Sequence, residues 1–137
     1  MELDVLNILK LNSTLNNLIE GFDDFLYTKK INLTIKDKIL ILLNEKPHSP
    51  FELIKMLSVA KTNLALICQD LIKDGLIKKE KDLIDKRNII YSLTDVGRER
   101  AINIALNINK QINMKIEFKN NNEQINNKVK ELLQLLS

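Results

Sequence analysis

Five apolar residues, Leu11, Leu15, Leu18, Phe22 and Phe25, recur in alternating steps of four and three, which keeps them on one face of a helix. Thr34 is a good N-cap, and the run "ILILL" behind it predicts a second helix that ends near Asn44. "KPHSPFELIKML" then restarts structure. Ser49 can cap, Pro50 fits the first helical position, and Glu52 completes an S-x-x-E capping box. The next helix begins near Lys61 and stops at Gly75, a ready C-cap.

From Leu76 to Leu93 the pattern changes. "LIKKEKD" and "NIIYSL" read as two short strands separated by "LIDKR", a hairpin. Thr94 then caps a long helix through "DVGRERAINIALNINKQINMKIEF". If that helix runs to about Phe118 it is roughly 36 Å long at the usual rise per residue. "KNNNE" breaks it, and a last helix carries Ile125, Val129, Leu132 and Leu136 on one stripe. The order predicts a mainly α fold with a small β-hairpin. It is a winged helix-turn-helix over residues 34–93, flanked by helices at 1–33 and 94–137, in one compact domain. The flanking stripes need a covering surface. A second copy of the chain, giving a homodimer, is the economical one, and packing on each other within a monomer is the alternative.

Composition narrows the class. A chain of 137 residues can bury a proper core, and its 45% hydrophobic and 28% charged residues suit a soluble globular protein. Three Gly and two Pro leave little room for a multi-turn all-β fold. "MELDVLNILK" has acids where a signal peptide needs a basic leader, and no apolar run reaches membrane-spanning length, so a cytoplasmic protein with no membrane partner is expected. One cysteine cannot make an internal disulfide or a multi-Cys zinc site. With no Gly-rich phosphate loop, His/Cys cluster or nucleophile–base pair, neither catalysis nor a metal or other cofactor is expected. The net charge is only +3, yet residues 34–100 hold 13 Lys/Arg against 10 Asp/Glu while the flanks hold eight of each. That distribution hints at a polyanionic partner.

On a helical wheel of Lys61 to Asp74, Leu64, Ile67, Cys68 and Leu71 form a core face. Thr62, Leu66, Gln69 and Lys73 fall opposite, with Asn63, Ala65 and Asp70 at the edges. A helix that reads the major groove needs short polar side chains near its N-terminus, where backbone amides also approach phosphate. Lys61, Thr62 and Asn63 meet that need. Gln69 can bond bidentately to adenine, and Lys73 is placed for a phosphate. Leu66 is the odd member: it contacts thymine methyls, or it marks a face that meets protein. In the hairpin, "DLIDKRNIIYSLT" keeps one of three arginines, Arg87, in a Lys-rich, A/T-biased sequence. Its planar guanidinium suits a narrow A/T minor groove. Asp85 can hold that guanidinium or brace the turn, and Lys86 adds phosphate attraction. The bland alternative is an ordinary solvated hairpin tip.

The stretch "DLIKDGLIKKEKDLIDKRNIIYSLTDVGRE" resembles the MarR family of bacterial transcriptional regulators. "L-x-x-x-G-L-I" ends the recognition helix, "D-K-R" is similar to the family's D-x-R wing tip, and "Y-S-L-T-x-x-G-R" leads into the long dimerisation helix. "SPFELIKMLSVAKTNL" resembles the preceding helix-turn. The likeness covers roughly Thr34 to Ile104. It implies a two-fold dimer that binds a pseudo-palindromic operator on double-stranded DNA, often with release by a small, commonly aromatic effector. It also implies that Arg87 is the wing arginine and Lys61 to Gln69 the base-reading stretch. Two positions depart from the pattern: Ala60 where the family often has a Ser cap, and Leu66 where it often has Arg. Both changes remove polar DNA contacts. The expected function is a sequence-specific, dimeric repressor on an A/T-rich operator. The rival is a winged-helix interaction module that no longer reads DNA. Cys68 is read as a buried structural thiol, His48 as a turn residue and no metal ligand, and Tyr27 and Tyr91 as pocket or core-edge residues.

Overall fold

The computed structural model describes residues 4–28, 30–115 and 122–136 and divides into two units, the chain up to Ile35 and the chain from Lys36 onward. The first unit is built on α1 (Val5–Thr28). Asp4 caps its start, its Oδ1 accepting from the Leu6 amide at 2.9 Å and its carbonyl from Ile8 at 3.1 Å. Its end is a Schellman turn: Ile31 N–H donates to the Leu26 carbonyl and Lys30 N–H to that of Tyr27. Lys30 takes the left-handed conformation there, φ 57°, where a glycine would sit with less strain.

The second unit carries all but the first residue of α2 (Ile35–Glu45), then α3 (Pro50–Leu57), α4 (Lys61–Lys73), the strands β1 (Ile77–Lys81) and β2 (Ile89–Leu93), α5 (Asp95–Lys115) and α6 (Asn122–Leu136). This is the order the hydrophobic pattern predicts. The expected end of the long helix near Phe118, and most of its "KNNNE" break, fall outside the described residues. A three-residue turn, Ser58 to Ala60, joins α3 to α4. Ser58 makes the turn with φ 54°, a conformation few non-glycine residues adopt. Gly75, φ 73°, closes α4 as another Schellman turn, with its amide on the Ile72 carbonyl and the Leu76 amide on that of Leu71.

The capping box differs from expectation in one respect. Ser49 Oγ accepts from the Glu52 amide at 3.1 Å as predicted. The Glu52 carboxylate, however, turns to the ring of His48, 2.7 Å from Nδ1, and to the Ser49 hydroxyl. The reason is burial. His48 is only 3% exposed, and a polar ring nitrogen inside the protein needs a partner more than a solvated amide does.

One core unites α2 to α5 with the hairpin. Ile39, Leu40 and Leu43 of α2, Leu53 of α3, Leu64, Cys68 and Leu71 of α4, Ile77 of β1, Tyr91 and Leu93 of β2 and Ala101 of α5 are all buried in it. Fully buried side chains of the larger apolar types each contribute about 1.5–3 kcal/mol, so the cluster is the main source of cohesion. β1 and β2 pair antiparallel, from Ile77 opposite Leu93 to Lys81 opposite Ile89. His48 adds a bridge on the other edge of β2, exchanging both backbone hydrogen bonds with Tyr91 (3.2 and 2.8 Å). The foot of the hairpin is locked by Thr94. Its amide donates to the Leu76 carbonyl, its hydroxyl to that of Gly75 at 2.6 Å, and the hydroxyl oxygen accepts from the Gly97 amide.

Candidate nucleic-acid interface

The packing of α4 decides which of its side chains are free. Leu64, Cys68 and Leu71 are buried and Ile67 is half-buried, so the remaining faces are left to solvent. Lys61, Thr62, Asn63, Leu66, Gln69 and Lys73 are all exposed, and Leu66 is 62% so. Ala60 precedes them in extended backbone and supplies no side-chain cap. The first-turn amides of α4 are therefore open to an external acceptor such as a phosphate oxygen. Asp70, at the edge of this face, pairs with Lys36 of α2 at 3.6 Å.

The wing begins with β1, which packs on α4. Apart from Ile77, β1 is exposed, and Lys78, Lys79 and Lys81 line it with Glu80, which pairs with Lys78. Its tip, residues 82–88, is organised by two aspartates. The Asp82 amide donates to the Asn88 carbonyl at 2.9 Å, and Asp82 Oδ1 accepts from the Ile84 amide. Asp85 binds Arg87 three times. Its Oδ1 accepts from the Arg87 amide and Nε, and its Oδ2 from Nη2, all within 3.0–3.1 Å. The bond to Arg87 holds the Asp85 carboxyl below its usual range and raises the guanidinium above its own. The arginine is thus oriented while remaining 89% exposed. Lys86 beside it is exposed.

The structure brings Asp85, Lys86 and Arg87 together at the wing tip and Thr62, Leu66, Gln69 and Lys73 together on α4, within one unit. It also exposes two residues that sequence reasoning passed over. Leu83 and Ile84 stand at the tip almost fully in solvent. The available signal was their place between charged residues in a loop, where no core can take them. Of the residues set aside, Cys68 is buried, its thiol pushed up to about 11 by burial despite a bond with Tyr91. Tyr91 is buried and Tyr27 exposed. Among the described residues, no group of three or more His, Cys, Asp or Glu side chains could hold a metal ion. Nor is any described helix long and apolar enough to cross a membrane.

Comparison with known proteins bears on this geometry. The family described as "Transcriptional regulator SarA/Rot" matches residues 26–104. The transcriptional regulator AdcR of Streptococcus pneumoniae is 35% identical over 75 residues, 54% of this chain and 51% of AdcR. The chain therefore spans about half the length of that curated relative. Among solved structures, the transcriptional regulator BldR of Sulfolobus solfataricus superposes with a TM-score of 0.69 at 21% identity, over 97% of this chain and 99% of BldR. A mutant MarR from E. coli complexed with operator DNA gives 0.60 at 18% identity, over 98% and 100%. A mutant Lactococcus lactis ZitR in apo form also gives 0.60 at 18%, over 98% and 96%. At such identities the structural likeness establishes the fold.

Proposed function

The chain belongs to the SarA/Rot family of transcriptional regulators, winged-helix proteins of the MarR type, and on that premise we propose that it is a sequence-specific, dimeric, cytoplasmic repressor. It occupies a pseudo-palindromic, A/T-rich operator. The observation that carries this reading is the pairing, within one unit, of an exposed α4 face with a wing whose arginine is already oriented. Lys61, Thr62, Asn63, Leu66 and Gln69 serve as the base-reading stretch, with Leu66 against thymine methyls and Gln69 on adenine. Lys73 and Lys86 contact phosphate, and Arg87, held by Asp85, enters the minor groove.

Dimerisation is supported by apolar residues that the chain leaves in water. Leu11, Leu15 and Ile19 of α1 are exposed, as are Val129, Leu133 and Leu136 of α6. Stripes of this kind are a standing cost unless a second copy covers them. A two-fold dimer then presents two α4 helices to successive major grooves about 34 Å apart. Release by a small, aromatic effector belongs to the same reading through the family resemblance, and loss of operator binding on adding simple aromatic acids checks it.

The test is a titration of purified protein against duplex DNA from its own upstream region, at two salt concentrations, with random duplex as competitor. Competitor-resistant binding that weakens steeply with salt is expected. Arg87→Ala should lower affinity by about tenfold or more without altering the fold. Absence of binding at low salt would sink the reading and leave the interaction module, which draws on the exposure of Leu66.

A further inference from the structure

The wing tip carries something that phosphate attraction does not explain. Leu83 and Ile84 are 92% and 97% exposed, more than any other large apolar side chain among the described residues. They are also held outward by design of the loop. Asp82 Oδ1 fixes the Ile84 amide at 3.0 Å, the Asp82 amide ties the loop across to Asn88, and the Asn88 amide returns to the Asp85 carbonyl at 3.0 Å. Both tip carboxylates are engaged within the loop, Asp82 by backbone and Asp85 by Arg87. What the tip offers outward is an apolar pair with Lys81 on one side and Lys86 and Arg87 on the other.

We infer that Leu83 and Ile84 are an apolar wedge that seats in the DNA minor groove beside Arg87 and opens or bends the duplex there. The inference rests on the DNA-binding reading above and deepens it. The chemistry of the tip selects this occupant. A minor groove has anionic walls for the flanking cations, while its sugar edges and partly unstacked bases present apolar surface for Leu and Ile. Pyrimidine–purine steps such as TA, frequent in A/T-rich DNA, are the ones that open most easily. Because β1 packs on α4, the wing reaches the same duplex whose major groove α4 enters.

The experiment uses the full chain and a duplex of about 30 base pairs, long enough for two half-sites, enriched by the wild-type protein from a random pool and labelled at its ends for energy transfer. Wild-type protein at saturation should raise the transfer by bending the duplex. Leu83→Ser with Ile84→Ser should bind about tenfold more weakly or worse and leave the duplex straighter at saturation. Leu83→Met with Ile84→Met keeps the apolar bulk and should restore the bend. All three proteins should unfold at the same temperature, since the changed side chains touch solvent. Equal bending by the Ser pair overturns the inference, and so does a Met pair that behaves like the Ser pair; a protein surface would then be the better occupant. Failure to enrich any duplex is a different result, because it overturns the DNA-binding reading and the wedge falls with it.

Discussion

Replacing Gly97 by Ala tests how the wing is fastened to the rest of the protein. A Cβ built on Gly97 would lie 1.8 Å from the Leu76 carbonyl oxygen and 2.8 Å from its carbon. An unstrained carbon–oxygen approach is about 3.3 Å, so roughly 1.5 Å of movement is needed. Neither side gives easily. The Leu76 carbonyl accepts from the Thr94 amide, the Leu76 amide is held by Leu71, and its side chain is in the core. Gly97 is itself tied to the Thr94 hydroxyl.

Three effects set the size. Forced overpacking costs about 1–3 kcal/mol, and separating the two segments weakens two or three hydrogen bonds at about 1 kcal/mol each. Against this, Ala is about 1 kcal/mol better than Gly within a helix. Steric and hydrogen-bond losses win, leaving a net destabilisation of roughly 2–5 kcal/mol, a large part of a total stability of about 5–15 kcal/mol. Urea unfolding followed by far-ultraviolet circular dichroism, at one fixed protein concentration, measures it. Gly21→Ala is the control, because nothing lies within 4 Å of a Cβ added there in α1. It should stabilise by about 0.5–1 kcal/mol. Opposite signs from the same substitution are expected. If Gly97→Ala lies within about 0.5 kcal/mol of the wild type, smaller than any single effect invoked, the account of the hairpin's foot is wrong.

Three further outcomes follow from the same geometry. Cys68, buried and with its thiol pushed up to about 11, should resist a thiol reagent in native protein and react only as fast as the protein unfolds; rapid native-state labelling would contradict its burial. Glu52 has its carboxyl lowered, chiefly by its bond to His48, so its stabilisation is complete above about pH 4.5 and is lost as pH falls through the lowered value. Glu52→Gln should therefore lower stability near neutrality and flatten its loss in acid, read from unfolding midpoints across pH; parallel profiles would show that the contact carries no linkage. Finally, exchanging A·T for inosine·cytosine pairs at wing-contacted positions of an enriched duplex keeps the minor-groove pattern and changes the major-groove one. Binding should survive that exchange and fall with G·C pairs, whereas equal losses would argue against minor-groove reading by the wing.

The elements were legible in the sequence because their ends carry chemistry of their own. Ser49 before Pro50, Gly75 after a run of helical spacing and Thr94 before Asp95 each satisfy terminal backbone groups locally, so neighbouring residues suffice to find them. The core face of α4 was legible for the same reason: Leu64, Cys68 and Leu71 announce it by spacing alone. What escaped depends on partners distant in sequence or on a lack of them. His48 reads as a turn residue, and its pairing with Tyr91, distant in sequence on the free edge of β2, is what the sequence does not show; its buried ring takes Glu52 away from the box it was expected to close. Leu83 and Ile84 fall in "LIDKR", which reads only as the connection between the strands, and their outward exposure is passed over in favour of the charges beside them. The proximity of Asp85 to Arg87 suggested a contact, but the threefold grip needed the turn geometry to be seen.

The two departures of α4 from the family pattern bear on where specificity would reside. Ala60 offers no cap and Leu66 no guanidinium, so on the DNA-binding reading the face retains the amides of Asn63 and Gln69 as its bidentate readers and Leu66 as an apolar contact to thymine. Such a face distinguishes few base pairs by hydrogen bonds. The uncapped amides of its first turn strengthen phosphate contact instead, which positions a protein without informing it of sequence. On the wedge inference the wing supplies what is missing: an arginine oriented by Asp85 and an apolar pair held clear of the core both respond to groove width and to how easily base steps open. On the proposed function and the wedge inference together, such a chain reads the shape and deformability of A/T-rich DNA more than its base edges, and the small net charge of +3 then has a use. With little unspecific attraction to compete, the energy of deformation at the wing can decide which duplexes are held.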